Sequence, residues 1–291
     1  MVIALRSLSA LNSMNERSLI TSISSISDKV GELRTWYTVD SDDFRHLPNY
    51  QGHPTRSTNT CPHPENELSL EFLSGLEGFR NWMASHEYAV TLFLITDLLE
   101  NKRFCELFQS LLEAFGERLT VGCHGHTHRS WSAWGEDVDG FASMLTSSTA
   151  LLKDRAGASF RPYFRAPNGY IAPWMAQVLA DHGYVVDSSV NPSWLTRHKT
   201  GGSSWKAVKG AMFDAAILER PWNTRFGLPV NGPALFRFPL SLIAKKAWKV
   251  RPKPLGLDEI DGVGDTRVAL VTLYCHVLDF AKNGGAWRPP E

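Results

Sequence analysis

The sequence lacks a long hydrophobic run, an excess of charge of either sign and a paired cysteine motif. No apolar stretch approaches the roughly 20 residues that a membrane-spanning helix needs, so we expect no integral membrane segment. Thirty basic residues balance thirty acidic ones, which leaves no electrostatic surface of the kind that selects nucleic acid or an anionic membrane. The four cysteines form no C-x-x-C pair, which is typical of free thiols in a reducing compartment.

The apolar run at residues 1–11 is too short and too interrupted for a secretory signal, so we expect a cytoplasmic protein. With 291 residues, 43% of them hydrophobic, the chain can build a substantial core as one α/β barrel or as two ordinary domains. We place a helical extension at 1–34 and the main domain at 35–291. The segment 44–66 is rich in Pro, Asn and Thr and predicts a loop insertion. The oligomeric state is not indicated.

Apolar runs alternate with amphipathic segments along the main domain. The patterns predict strands at 35–39 and 89–95, and helices at 68–84 and 102–115. The apolar run Leu235–Pro239 predicts another strand. Strands that alternate with helices indicate a parallel sheet, open or closed into a barrel. Polar side chains follow several strands directly, at the edge where α/β barrels carry their chemistry.

Three histidines stand at alternate positions after an apolar run that ends near Val121: His124, His126 and His128. If the chain turns helical here, His124 and His128 lie on one face, within reach of a single cation. Two neutral imidazoles and one carboxylate hold a divalent metal and leave a position open for water, as a hydrolytic site needs. A histidine-rich surface loop is the alternative, and the motif alone does not decide between them.

Carboxylates follow the first predicted strand. Asp40 and Asp42 are two residues apart, so they point the same way on an extended backbone. With Asp43 they place three negative charges together, which is costly unless a positive group lies among them. A solvated acidic turn is the alternative. Arg165, in a turn fixed by Pro167, is a candidate for the positive group.

Five motifs occur in a familiar order: Thr38–Asp42, His124–His128, Arg165–Pro167, Tyr184–Ser188 and Leu270–His276. In these residues the chain resembles the NodB-homology polysaccharide deacetylases, carbohydrate esterase family four, over residues 35–280. The resemblance implies a distorted (β/α) barrel and a NodB-like deacetylase domain at 35–291. It also implies removal of acetyl groups from sugars with a divalent metal, usually zinc.

The resemblance also implies roles for individual residues. It assigns the metal ligands to Asp42, His124 and His128, and the catalytic base, its arginine and the catalytic acid to Asp40, Arg165 and His276. This sequence departs from the family where Ser41 separates two aspartates that are usually adjacent, so Asp43 is an alternative metal ligand. Asp187 is expected to hold the second ring nitrogen of His276; a capping or turn role is the alternative.

We assign Pro167, Asn168 and Trp194 to the substrate cleft. Asn168 stands where the family has an aromatic residue, and the flat face of a tryptophan suits a sugar ring, although core packing explains most tryptophans. The chain continues only fifteen residues past His276. We therefore expect a barrel that stays open there, one in which residues 1–11 cover the gap, or a truncated reading frame.

The leading interpretation is a metal-dependent hydrolase, an enzyme that removes an acetyl group from an N-acetylated amino sugar or glycan. Amide hydrolysis needs a nucleophile at neutral pH, charge stabilisation on the acyl oxygen and a proton for the departing amine. The expected cofactor is Zn²⁺ and the expected partner is a carbohydrate substrate. The alternatives are a related C–N hydrolase on a non-sugar amide or cyclic imide, and a barrel that binds glycan without catalysis.

Overall fold

The computed structural model describes residues 32–64 and 67–290. The expected helical extension at 1–34 lies outside these residues except for 32–34, so the division of the chain at this point stays a prediction. Within the described ranges, no helix is both long and apolar enough to cross a membrane.

Short apolar runs form the strands. They are β1 (Arg34–Asp40), β2 (Val90–Leu94), β3 (Leu119–Cys123), β4 (Phe160–Phe164), β5 (Val186–Asp187), β6 (Leu218–Glu219), β7 (Thr224–Arg225), β8 (Leu228–Pro229) and β9 (Leu270–His276). Every residue of β2 and β3 is buried. Near-continuous apolar sequence of this kind is typical of parallel strands that are covered on both faces.

The strands form a curled parallel sheet in the order β6-β5-β4-β3-β2-β1-β9, and β7 pairs with β8 in a separate hairpin. Every neighbouring pair in the large sheet is parallel. Beyond β6 the chain reaches β9, where Trp222 bridges Thr272 and Asn223 N donates to Thr272 O at 3.0 Å. The two edges of the sheet thus meet at a bridge and not along a full ladder, which confirms the predicted α/β fold as a distorted, largely open (β/α) barrel.

Helices cover the outside of the sheet. They are α1 (Leu70–Ala84), α2 (Lys102–Phe115), α3 (Trp131–Trp134), α4 (Val138–Ala156), α5 (Trp174–Asp181), α6 (Trp205–Asp214), α7 (Leu240–Lys249) and α8 (Val277–Phe280). Side-chain caps fix their starts: Ser69 Oγ accepts from Phe72 N at 3.0 Å, and Asn101 Oδ1 accepts from Phe104 N at 3.0 Å. The predicted helices at 68–84 and 102–115 are therefore present.

An apolar plug closes the barrel at the amino ends of the strands. Trp36 and Phe93 point into the barrel and pack edge to face at 5.9 Å, in a cluster that also contains Leu255. Leu255 N donates to Thr35 O, which ties the plug to β1. Arg220 fastens the following loop by donating to three of its carbonyl groups. The apolar cluster thus fills the barrel below the carboxyl ends of its strands, up to Phe93, which pairs in register with Asp40.

The expected strand Leu235–Pro239 is wrong. Leu235 ends a 3-10 turn, and Pro239 directly precedes α7. The backbone nitrogen of proline carries no hydrogen to donate to a neighbouring strand. Pro233 lies two residues before this run and Pro239 is its last residue. Phe238 is 82% exposed, so the apolar pattern here does not mark a buried strand.

Candidate active site

The carboxyl ends of four strands surround a small cavity of about 80 Å³. Asp40 and His276 are register partners at the ends of β1 and β9, and both line the cavity. Asp42, His124 and His128 line it as well. Since parallel strands all end at the same edge of a sheet, residues far apart in sequence meet here.

A loop, and not a helix, brings His124 and His128 together. The helical geometry considered from the spacing is wrong, because residues 124–130 are irregular. Gly125 has a φ of +80° and His128 a φ of +56°. These two left-handed residues turn the backbone so that both imidazoles face one point, with ring centroids 5.1 Å apart.

Backbone carbonyl groups fix the orientation of both imidazoles. Nδ1 of His124 donates to the carbonyl oxygen of Arg165 at 2.8 Å, and Nδ1 of His128 donates to the carbonyl oxygen of His46 at 2.6 Å. The Nε2 atoms therefore face the cavity, in the arrangement typical of metal-ligating histidines. Burial lowers the pKa of His124 to about 4, against the opposing effect of the nearby aspartates, so its imidazole is neutral.

The carboxylate beside these imidazoles belongs to Asp42. Its Oδ1 lies 2.9 Å from His128 Nε2 and its Oδ2 lies 3.7 Å from His124 Nε2. Burial would raise the pKa of Asp42, but His128 and the neighbouring imidazoles lower it below its ordinary value. Its buried Oδ2 has no hydrogen-bond partner among the described residues.

Asp43, the alternative ligand, is occupied elsewhere. Its Oδ1 accepts from Ser69 Oγ and from Phe44 N, both at 2.5 Å, and its Oδ2 accepts from Ser69 N at 3.2 Å. It therefore caps a 3-10 turn and connects it to the start of α1. Of the two aspartates, Asp42 is the one that faces the imidazoles.

The donor set fits a divalent metal ion. Asp42, His124 and His128 each offer one ligand atom, and these atoms lie within 4.8 Å of one another. Two imidazole nitrogens and one carboxylate oxygen are ligands that Zn²⁺ accepts, with one position left for water. The unpaired Oδ2 of Asp42 also indicates that this carboxylate is suited to a cation, since a buried polar atom normally has a partner.

Arg165 holds Asp40 beside this group. Its guanidinium is fully buried, and Nη1 donates to Asp40 Oδ1 at 2.6 Å. Nε and Nη2 donate to Ser188 O and Ser188 Oγ, both at 3.0 Å, while the guanidinium lies 4.2 Å from the ring centroid of Phe93. Oδ2 of Asp40 points toward His124 Nε2 at 3.9 Å. One oxygen of Asp40 is thus fixed and the other faces the candidate ligands.

His276 pairs with Asp279, which the sequence analysis missed. Asp279 Oδ2 accepts from His276 Nδ1 at 3.1 Å and from His276 N at 2.9 Å. Burial would lower the pKa of His276, but Asp279, Asp42 and Asp40 together raise it to about 9. The imidazole is therefore protonated at neutral pH. Asp279 lies three residues downstream and could have been recognised as the N3 residue of a capping box.

The expected contact of Asp187 with His276 is wrong. Asp187 is fully buried, and its two oxygens accept from Ser189 Oγ at 2.7 Å and Ser189 N at 3.1 Å. Ser189 Oγ in turn accepts from Ala166 N at 2.8 Å. Asp187 is the last residue of β5, and through Ser189 it fixes the turn that presents Arg165. This is the turn role that the sequence also allowed.

The residues assigned to the substrate cleft separate into two groups. Asn168 lines the cavity, and Pro167 is buried next to it. Trp194 is 57% exposed and does not line the cavity. Lys199 and Tyr274 also line the cavity, although neither was among the residues predicted for the site. Tyr274 lies inside the last motif, whereas no motif marks Lys199.

Comparisons with known proteins agree with the resemblance that the motifs carry. Residues 77–186 match the family model described as polysaccharide deacetylase, which confirms the resemblance stated above. The chain is similar to the crystal structure of a "putative polysaccharide deacetylase" from Mycobacterium smegmatis, with 18% identity, a TM-score of 0.54, and coverage of 88% of this chain and 81% of that one. A comparison with curated proteins finds no match.

A second solved structure shares the fold. It is the crystal structure of Puue allantoinase, with 10% identity, a TM-score of 0.50, and coverage of 87% of this chain and 80% of that one. At such low identities the two structures show a common fold and no more.

Substitution of Asp42 should remove the bound metal, whereas substitution of Asp43 should not. We expect Asp42→Asn, like His124→Ala and His128→Ala, to lose the divalent ion, because each removes one atom of the candidate ligand set. Asp43→Asn is the matched control; it should keep the ion and lose about 1 kcal/mol of stability with its cap. Elemental analysis of the dialysed proteins measures the metal content. Loss of the ion from Asp43→Asn alone would show that the ligand assignment is wrong.

The carboxyl group of Glu219, whose Oε2 atom is buried, should make stability depend on pH. Burial and the adjacent Asp187 raise the pKa of Glu219 well above its ordinary value of 4.5. The folded state then keeps a proton that the unfolded state releases above about pH 4.5, so stability falls as the pH rises, by at most about 1.4 kcal/mol per unit. In urea unfolding at pH 5.5 and 7.5, Glu219→Gln should make the slope shallower than in the parent protein, while His276, whose pKa is also raised, keeps its own part of it. Exposed Glu113→Gln should leave the slope unchanged. Equal slopes for Glu219→Gln and the parent protein would contradict the proposal of a protonated Glu219.

Proposed function

We propose that this chain, which shares motifs, a family model and a fold with polysaccharide deacetylases, is a metal-dependent hydrolase that removes the acetyl group of an N-acetylated amino sugar or glycan. One observation carries the proposal. The candidate ligand atoms of Asp42, His124 and His128 lie in one cavity with Asp40, which Arg165 holds, and with His276. Amide hydrolysis needs these three components together: a Lewis acid, a base and an acid.

The residues that would hold the metal are Asp42, His124 and His128, with Zn²⁺ as the first expectation from two imidazoles and one carboxylate. A divalent ion supplies a Lewis acid that polarises the acyl oxygen and makes a water molecule more acidic. The carbonyl groups that accept from Nδ1 of both histidines keep the Nε2 lone pairs available for it.

Asp40 is the proposed base. It accepts the proton of the attacking water through its oxygen that faces the candidate ligands, while the other oxygen stays bound to Arg165. The guanidinium fixes the direction of the carboxylate and compensates its negative charge inside the barrel. This arrangement separates the roles of two neighbouring aspartates, because Asp42 faces the imidazoles and Asp40 faces the guanidinium.

His276 is the proposed acid. Its pKa of about 9 keeps the ring protonated at neutral pH, and Asp279 fixes Nδ1 so that Nε2–H is directed away from this pair. When the C–N bond breaks, His276 gives its proton to the departing nitrogen. The proton that Asp40 took from water restores the imidazolium, and the second water hydrogen stays on the acyl product. The products are a free amine and acetic acid, which then ionises to acetate.

The size of the cavity favours an acetyl group at its end. A volume of about 80 Å³ holds a group of a few heavy atoms and is far smaller than the roughly 300 Å³ at which pockets for whole ligands begin. The sugar ring would therefore lie at the mouth. The exposed face of Trp194 is a candidate for stacking on a more distant sugar of a glycan.

Two variants test the division of labour. We expect Asp40→Asn to keep its metal and lose on the order of 10²-fold in rate, because it removes the base and no ligand. His276→Ala should lose a similar factor in rate on an N-acetylated chitooligosaccharide. Its rate on an aryl acetate should fall clearly less, because that leaving group needs little protonation. The metal content and the initial rates of acetate release, measured at one pH, test both variants. A small and equal loss of His276→Ala on both substrates would contradict its role as the acid.

A further inference from the structure

Lys199 lies in the cavity of the candidate active site, although no motif includes it. It belongs to the 3-10 segment Trp194–Thr200, and its side chain lines the same cavity as Asp42, His128 and His276. A side-chain hydrogen bond to the backbone holds this segment, since Ser132 Oγ donates to Lys199 O at 2.7 Å. The ammonium group is therefore a fixed feature of the cavity wall.

The ammonium group of Lys199 has unused hydrogen-bonding capacity. Nζ donates to the carbonyl oxygen of Asn168 at 2.6 Å, and lies 5.4 Å from the ring centroid of Tyr170. The carbonyl is presented by Asn168 in a left-handed conformation, with φ of 55°, held by a hydrogen bond to Ser130. A lysine has three donors, and no carboxylate of the described chain lies within ion-pair distance of Nζ.

Another cation, Arg56, lies near Lys199. Burial and, as a smaller effect, the charge of Arg56 together lower the pKa of Lys199 to about 8, and no carboxylate offsets these effects. Burial, followed by Lys199 and Arg56, lowers the pKa of His198. Arg56 and His198 are exposed. Lys199 and Arg56 thus give this side of the cavity positive charge, and no ion pair among the described residues compensates either of them, whereas His198 is neutral.

We infer that Lys199 binds an oxyanion of the substrate, so that the preferred substrate is an acetylated amino sugar that carries a carboxylate or a phosphate. The inference rests on the proposed function and adds a substrate class to it. The two free donors of Nζ suit an oxyanion, and a charge-assisted hydrogen bond in a partly desolvated cavity is stronger than one in water. The exposed Arg56 would draw the same group toward the mouth.

Matched substrates and variants test this inference. N-acetylglucosamine is compared with its uronic acid, its 1-phosphate and its 6-phosphate, as the ratio of kcat/KM for each anionic sugar to that for the neutral sugar. We expect a ratio well above one for at least one anion. Lys199→Gln and the apolar Lys199→Met should each lower this ratio on the order of 30-fold, since a desolvated charge pair is lost. Lys206→Gln, an exposed lysine on α6, should leave it unchanged.

The outcomes separate a binding role from a structural one. The anionic sugar for which the parent protein has the highest kcat/KM shows whether it recognises a carboxylate or a phosphate. An equal loss on neutral and anionic sugars in Lys199→Gln, or no preference for any anion in the parent protein, would overturn the inference.

Binding without turnover keeps the test separate from the proposed function. Glucosamine 6-phosphate and glucosamine carry no acetyl group, and their affinities are measured by titration calorimetry. We expect the phosphate to bind more tightly to the parent protein than to Lys199→Gln. If no acetylated sugar is hydrolysed but this difference remains, the proposed function fails and the oxyanion site stands. Equal affinities in both proteins would overturn the site.

Discussion

The ion pair between Arg165 and Asp40 is the interaction on which the rest of the site depends. A fully buried guanidinium is costly to desolvate unless its donors are used. Here the donors reach Asp40 on β1 and Ser188 after β5, while Arg165 itself follows β4. One side chain therefore connects three strand ends across the barrel. Without it, Asp40 and Asp42 would repel each other in a closed space.

The remaining polar groups are arranged around this pair. Asp187 and Ser189 fix the turn that carries Arg165, and the carbonyl oxygen of Arg165 orients His124. The same residue thus positions the proposed base with its side chain and a candidate metal ligand with its backbone. The apolar plug around Trp36 packs beneath these polar groups in the barrel.

Much of the fold and part of the site follow from local sequence. The apolar runs of β1 to β3 and the amphipathic helices α1 and α2 are set by periodicity and caps, and these are short-range features. Contacts that depend on the three-dimensional path were not predictable. Asp43 was distinguishable from Asp42 only through its bonds to Ser69, and the left-handed His128 replaces a helix that spacing alone allows. Lys199 reaches the cavity from an irregular segment whose sequence carries no signal of it.

The central claim is that a metal ion bound beside Asp40 makes this chain a hydrolase of acetylated amino sugars. The most direct measurement is acetate release from an N-acetylated chitooligosaccharide and from the anionic monosaccharides, by protein that a chelator has stripped and that is then titrated with Zn²⁺. The account predicts almost no release by the stripped protein and full recovery near one equivalent. Release that is equal with and without the metal, or no release by the metal-loaded protein on any of these substrates, would contradict it.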